Sequence, residues 1–527
     1  MLWESHKEGL AQDFSRSLPL DQAIETALAD IKARLIESGM SCESVGLPLP
    51  NLELDIDQGE FYDDASIAAH NISILNAKQR QIVDDIWAKV ENPNETEANV
   101  YYMDGPAGTG KTMVYNTLIS LLRSRGKEVA SCAWTGIASI LLRHSVTVHN
   151  LFKLPVPILE TSTCNVSASS TYADYLKSLT VIFIDEASMI PNHALHAIDR
   201  LLRDLMQNDV PFGGKLILFG GDFRQVLPVV VRGTATKILE QCLKRSPLWR
   251  HFRVYNLTEN MRAHQEEREF ANWLLQIGNG TLQSSISSDE DMVDIPGECV
   301  VDDMVEAIFP NFDEDRSNSI ILTPKNDTSL KLNDKILKRL PGVERTFFSC
   351  DSAICDSEEE AQNYPMEFLN SITPTGMPPH ILNLKVGCTV MLLRNISSKR
   401  GLCNGVRLKV LNIHNSVLHC EILTGSHCGQ QVLIPKLKLA PSDANLPFVL
   451  QRTQFPLRLC YAMTINKSQG QTFTHVGIFL PEPVFSHGQL YVAFSRARRL
   501  VDVKVQIHDG ANTRSNVTKN VVYKCIL

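Results

Sequence analysis

The stretch Gly105-Pro106-Ala107-Gly108-Thr109-Gly110-Lys111-Thr112 has the residue types needed to hold a polyphosphate, and it fits G-x-x-x-x-G-K-[ST] at every position. Its glycines let the backbone wrap a phosphate with N–H groups, and the N-terminus of a following helix adds a positive dipole end. Lys111 is suited to neutralise β- and γ-phosphates, and the Thr112 hydroxyl to ligate Mg²⁺. Downstream, Asp185 and Glu186 close an almost wholly apolar run, where two adjacent carboxylates are costly unless a cation and water sit there. Asp185 suits the metal, and Glu186 suits activation of an attacking water. Gln225, after Gly220-Gly-Asp222-Phe-Arg224, could offer a neutral donor to a γ-phosphate or to that water. Upstream, the Gln79 amide could read the N6/N7 edge of adenine. Asn76 with Gln79 three residues on is equally a capping box, and both readings stay open.

These groups need strands that end at a common edge. Val100 to Met103 reads as a buried strand entering the loop, and Val114, Leu118, Leu121 and Leu122 line a helix leaving it. A helix over 71–90 is expected from Leu75, Ile82, Val83, Ile86, Trp87 and Val90. Val129 onward is a strand, followed by a helix over 137–142 and a Pro-interrupted excursion over 145–172. Leu179 to Ile184 should be central in a parallel sheet, and Leu195, Ile198, Leu201, Leu202 and Leu205 line the next helix. Lys215 to Phe219 is a further strand. Strand–helix alternation of this kind gives a parallel α/β sheet with its ligand at the strand C-termini.

Strand signals resume at Ser319, and from 384 to 450 the period changes to short β runs with turn signals, a small β-barrel pattern. The chain then returns to α/β character, ending in Tyr491-Val-Ala-Phe-Ser-Arg496-Ala-Arg498-Arg499, where Arg496 and Arg499 are expected on one helix face. Residues 281–300 read as a Ser/Asp-rich linker and 350–362 as an acidic loop. The expected division is an acidic N-terminal extension (1–70, short helices and a linker over 47–64), a first core (71–256), a second core (257–395 and 452–527) and a β insertion (396–451).

The net charge of −8 conceals an asymmetry. Residues 1–70 carry 14 acidic and 4 basic side chains, whereas residues 381–527 carry 5 acidic and 18 basic. A basic final third suits a phosphate-backbone surface. No apolar run approaches the roughly 18 residues of a membrane span, and the N-terminus has neither an apolar signal core nor transit-peptide character. The 13 scattered cysteines, without C-x-x-C, are expected as free thiols in a reducing compartment.

Together these stretches resemble a superfamily-one DNA helicase of the Pif type (petite integration frequency), related to RecD-like enzymes. The resemblance rests on Leu75-Asn-Ala-Lys-Gln79, 105–112, 134–142, 147–152, Asp185-Glu-Ala-Ser188, 220–228, Leu257-Thr-Glu-Asn-Met-Arg262, 464–470 and 491–498, in the family's order over about residues 71–510. Leu402-Cys-Asn-Gly405 and Tyr364-Pro-Met-Glu-Phe-Leu-Asn370 are similar to the eukaryotic branch, which includes helicase modules of Helitron transposons. The resemblance implies two RecA-like cores, a Src-homology-three-like β insertion, and 5′-to-3′ movement on single-stranded DNA with ATP and Mg²⁺. It implies that Gln79 reads adenine and that Arg262 and Arg496 reach the γ-phosphate beside Gln225. Gly470 would face the nucleotide, while Thr135, His149, Thr464, Lys467, Ser468 and Gln469 would contact the strand. Asn466 departs from the His more usual there. A monomer acting on 5′-tailed DNA is expected, with RNA left open as a track; the nucleus is the expected compartment and the mitochondrion the alternative.

Overall fold

A computed structural model of the chain describes residues 57–92, 98–230, 233–261, 267–285, 289–310, 316–355, 363–374, 376–397, 400–425, 427–441, 446–508 and 516–527, with scattered positions before 57. The chain divides into two compact units, Met1–His70 and Asn71–Leu527. In the first, Ala23 and Ala27 are buried with Ile24 packed on them. Helix α1 (Asp57–Ile74) runs through the end of the stretch expected as a linker, and no proline between 51 and 74 opposes it.

The first core of the second unit is an all-parallel sheet of β1 (Val100–Asp104), β2 (Val129–Ala133), β3 (Ser145–Thr147), β4 (Val181–Asp185), β5 (Leu216–Gly221) and β6 (Phe252–Asn256). Its spatial order is β3-β2-β4-β5-β1-β6. Successive side chains of a strand face opposite sides. Tyr101, Met103, Phe183 and Leu218 pack on Ile82 and Ile86 of α2 (Ala77–Glu91) and on Val114 and Leu118 of α3 (Lys111–Arg123). Tyr102, Ile182, Ile184 and Phe219 pack on Leu195, Ile198 and Leu202 of α4 (Asn192–Met206). Each fully buried Leu or Ile contributes about 1.5–3 kcal/mol, so the sheet holds α4 more firmly than its own propensity does. All five residues of β4 are buried between β2 and β5, which delivers Asp185 at the sheet's C-terminal edge.

Helix α5 (Arg268–Asn279) leads towards the second core. Met292–Asp294, inside the expected linker, pairs with Val517–Lys519. Strand β7 (Ser319–Thr323) opens the second sheet, and α6 (Asn326–Arg339) follows it. The chain then builds an antiparallel sheet from β8 (Thr389–Leu392), β9 (Arg407–Ile413), β10 (Val417–Ile422), β11 (Gln431–Pro435) and β12 (Leu457–Leu459), ordered β11-β10-β9-β8-β12. Val390 of β8 pairs with Leu459 of β12, so this sheet takes in residues on both sides of 396–451. Strands β13 (Ala462–Thr464), β14 (His475–Leu480) and β15 (Val503–Ile507) return to β7 in a parallel sheet ordered β13-β7-β14-β15. The two parallel sheets are RecA-like cores.

Two local expectations change. Cys350–Ile354, expected within a loop, is a strand paired with Val449–Gln454. Its Asp351 is fully buried and accepts Arg452 Nε at 2.9 Å and Nη2 at 2.5 Å, a charge-assisted pair that fixes the strand. Residues 356–362 of that loop lie outside the described residues. Helix α7 (Gln489–Phe494) ends before Arg496, so Arg496 and Arg499 share no helix face. Ser495 is the C-cap of α7, Arg496 is buried, and exposed Arg499 pairs with Asp502. Among the described residues no helix is long and apolar enough to cross a membrane.

Candidate nucleotide site and strand cleft

The phosphate loop leaves β1 and enters α3 without a side-chain cap at Gly110, so the first-turn N–H groups of α3 face the loop. Gly108 and Gly110 have φ of 88° and 79°, which disfavours any residue with a Cβ. A Cβ on Gly110 would also lie 2.5 Å from Gln79 Nε2. Lys111 Nζ donates to Gly105 O at 2.5 Å and lies 3.4 Å from Pro106 O, which holds the ammonium across the loop. Thr109 Oγ1 donates to Pro106 O at 2.9 Å. Gln79 makes the capping box with Asn76: its Oε1 accepts Asn76 N–H at 3.0 Å and its N–H donates to Asn76 Oδ1 at 2.9 Å. Its Nε2 donates to Thr109 O at 2.9 Å, so both ends of the amide brace the backbone beside the loop.

Glu186 follows β4 with φ 53°, a left-handed conformation that turns the chain sharply at the sheet edge. Asp185 Oδ1 accepts Glu186 N–H at 2.9 Å. Burial and the adjacent Glu186 push the Asp185 carboxyl up to about 7, against the pull of Lys111. Burial also raises Glu186, opposed by Lys111, Arg496 and a hydrogen bond from Gln469. A crowded pair of carboxylates beside a phosphate loop is donor chemistry for a hard cation. Among the described residues no three His, Cys, Asp or Glu gather. Asp185 and the Thr112 hydroxyl are the residues that would hold such a cation, together with substrate oxygens.

The second core supplies the other wall. A cleft of about 390 Å³ opens at Pro106, Ala107 and Thr109, bounded by 258–261, one side of α5 and Tyr491 of α7. Met261 N–H donates to Gly108 O at 2.9 Å, so this segment lies against the loop. Arg262 lies outside the described residues. Arg496 donates to the carbonyls of Val492, Ser468 and Gln471 at 3.0, 3.3 and 2.9 Å, within its own core. Its charge still favours ionised Glu186. Buried Gln225 has Nε2 3.5 Å from Asp222 Oδ2. Asp222 is fully buried, and Tyr491 Oη donates to its Oδ2 at 2.8 Å while accepting Ala107 N–H at 2.9 Å. Sequence reasoning assigned Tyr491 and Asp222 no part; the available signal was a hydroxyl inside the apolar run Leu490-Tyr-Val-Ala-Phe.

The residues expected on a strand divide between two places. Thr464 and Lys467 line a cleft of about 360 Å³ with Asn326, Leu330, Ile381 and Arg458. Lys467 is open to this cleft, but desolvation by the surrounding protein and the positive charge of Arg458 lower its ammonium to about 8. Two cations that repel each other favour an anion between them. Ser468 Oγ instead donates within its own turn to Ile465 O at 2.7 Å, and Gln469 reaches Glu186. Gly470, at φ 80°, lies near Ala138 and Glu186. On the first core, Thr135 Oγ1 caps the single helical turn Gly136–Ser139, shorter than the helix expected over 137–142, by accepting Ala138 N–H at 3.2 Å. His149 packs on Trp134 with ring centroids 4.5 Å apart, and burial lowers its imidazole, which favours a neutral ring there.

Comparisons with known proteins cover the same segments. A family model described as PIF1-like helicase matches residues 74–288, a Pif1 DNA helicase 2B-domain model matches 367–413, and a UvrD-like helicase C-terminal-domain model matches 459–503. The chain is 27% identical over 430 residues to the ATP-dependent DNA helicase PIF1 of Danio rerio, covering 81% of this chain and 61% of that protein. It is 27% identical over 462 residues to the ATP-dependent DNA helicase Pif1 of Psychrobacter sp., covering 78% and 66%. It thus spans about two thirds or less of these relatives' lengths. The crystal structure of Pif1 helicase from Bacteroides in complex with ADP-AlF3 and ssDNA is similar with a TM-score of 0.60 and 27% identity, over 84% of this chain and 94% of that one. The ordered motifs, both sheets and these likenesses support a Pif1-type helicase of superfamily one.

Proposed function

We propose that this chain is an ATP-dependent 5′-to-3′ DNA helicase that couples Mg²⁺-dependent ATP hydrolysis to movement along single-stranded DNA. The observation that carries the reading is one constellation. The positive charge of Lys111 in the phosphate loop favours the ionised forms of buried Asp185 and half-buried Glu186, and Gln469 of the second core reaches Glu186 with Nε2 3.4 Å from Oε2.

In this reading Lys111 leaves the carbonyl of Gly105 for the β- and γ-phosphates, and Thr112 and Asp185 hold Mg²⁺. The ion, when bound, neutralises charge developing on the phosphate oxygens. Glu186 orients the attacking water, and Gln225 lies at the γ-phosphate with Arg496 and Arg262 on the opposing side. Thr135 and His149 on the first core, and Thr464 and Lys467 on the second, seat the strand across both cores. Because Gln469 and Ser468 adjoin Lys467, closure over nucleotide shifts the strand seat of the second core relative to the first. The relatives' names as ATP-dependent DNA helicases and the Bacteroides complex with ssDNA agree with this reading. Work on genomic DNA in the nucleus is the setting proposed, with the protein acting as a monomer.

The test is unwinding of duplexes carrying a 5′ or a 3′ single-stranded tail, in DNA and in RNA, with ATP and Mg²⁺. Separation of the 5′-tailed DNA alone is expected; equal rates on the 3′-tailed substrate would sink the polarity, and preference for RNA would sink the track.

A further inference from the structure

Tyr491 is 1% exposed and stands in a helix whose neighbours Leu490, Val492, Ala493 and Phe494 are all buried and apolar. A hydroxyl buried there is costly unless it finds partners. It finds two, both on the other core: Ala107 N–H of the phosphate loop, whose hydrogen bond it accepts at 2.9 Å, and Asp222 Oδ2 beyond β5, to which it donates at 2.8 Å. Asp222 is itself 0% exposed and also accepts Arg224 N–H and Nη1, each at 3.1 Å through Oδ1. The Gln225 amide leans on the same Oδ2 that Tyr491 uses. The ring is wedged in place, since a Cβ on Gly278 of α5 would lie 3.0 Å from its Cδ2.

Phenylalanine would fill this space as well as tyrosine. What the hydroxyl adds is a bridge from one core to two parts of the other. It joins the loop that takes the phosphates to the carboxylate against which Gln225 rests.

Resting on the reading of this site as one that hydrolyses ATP, we propose that Tyr491 is a positioning residue for hydrolysis: its hydroxyl fixes Asp222, and through Asp222 the Gln225 amide, relative to Ala107 of the phosphate loop. Movement of the second core then reaches the loop and Gln225 together. Without the hydroxyl, Asp222 loses a donor to a buried charge and Ala107 loses its acceptor, which is the costly kind of loss. The nucleotide still binds through Lys111 and the remaining loop N–H groups.

The test compares wild type with Tyr491→Phe, Gln225→Ala and the double variant. DNA-stimulated kcat for ATP should fall about tenfold in Tyr491→Phe, the size expected for a hydrogen bond to a charged group. Affinity for a fluorescent ATP analogue should stay within about threefold, since the loop contacts persist. The double variant should be no slower than Gln225→Ala alone, because Tyr491 acts through Gln225. Amide hydrogen exchange at Ala107, read on the nucleotide-free protein, should accelerate in Tyr491→Phe. An unchanged kcat, a double variant slower by the product of both effects, or unchanged Ala107 exchange would each overturn the proposal. A wild-type chain that turns over no ATP in the presence of DNA would instead overturn the ATPase reading beneath it, an outcome seen before any variant is made.

Discussion

Gln469 of the second core extends its amide to Glu186 of the first, Nε2 3.4 Å from Oε2, so this carboxylate is touched from the opposite wall. Arg496 adds a positive field to the same carboxylate while its guanidinium stays bound to Ser468 and Gln471. Side chains of both cores thus meet at Glu186.

If Glu186 orients the attacking water, Glu186→Gln keeps the shape of the side chain and removes the base. ATP turnover should fall by about 10²–10⁴-fold, with nucleotide affinity changed by no more than a few-fold. Single-turnover hydrolysis alongside equilibrium binding of an ATP analogue separates the two effects.

If Asp185 holds a cation, its buried charge should cost stability when the cation is absent. Asp185→Asn removes the buried member of two neighbouring carboxylates. In metal-free buffer at pH 8 the variant should melt higher than wild type, by an amount on the order of 2 °C, while losing Mg²⁺-dependent turnover. A thermal melt with and without Mg²⁺ checks both, and a lower melting point in the metal-free variant would contradict this placement.

If the strand lies in the cleft that Lys467 lines with Thr464 and Arg458, Lys467 meets its phosphates. Lys467→Ala should weaken single-stranded DNA binding and reduce the steepness of log K against log salt by about 0.7. Fluorescence anisotropy at several salt concentrations reads the slope directly. Loss of affinity with an unchanged slope would mean that Lys467 touches no phosphate.

His487 gives the protein an acid limit. Its Nε2 donates to Phe223 O at 2.7 Å and its Nδ1 accepts Tyr523 N–H at 2.8 Å, so the neutral ring satisfies both partners. Burial lowers its pKa. The unfolded chain takes up this proton near the ordinary value of about 6.5, whereas the folded chain does so only at lower pH. The stability it contributes is therefore intact above about 6.5 and falls as pH drops below it, by up to about 1.4 kcal/mol per pH unit. His149 and His196 shift in the same direction and add to the trend. His487→Gln should flatten the fall in urea midpoint between pH 7 and pH 5.5, and an unaltered slope would refute this assignment.

The local half of the site was legible in the sequence because its physics is local. The 105–112 spacing, the apolar run into Asp185 and the Asn76–Gln79 cap each follow from residues adjacent in the chain, and each forms. The parallel order of the first sheet follows from the same alternation. The joining half was not legible. Ala107 meets Tyr491 across 384 positions, and Val390 meets Leu459 across a whole antiparallel sheet. No periodicity encodes such pairings. Arg496 and Arg499 show the opposite failure: their i, i+3 spacing assumed a helix that Ser495 ends, and one arginine turns inward while the other pairs at the surface with Asp502.

In the proposed function, two cores hydrolyse ATP in response to a bound strand. It is tested most directly by the steady-state ATPase rate of the full chain with Mg²⁺, with and without single-stranded DNA, beside Lys111→Ala. The strand should raise the wild-type rate about tenfold or more, and the Lys111→Ala rate should be at least about 10²-fold lower in its presence. A wild-type rate indifferent to DNA, or a Lys111→Ala variant that keeps the stimulated rate, would contradict it.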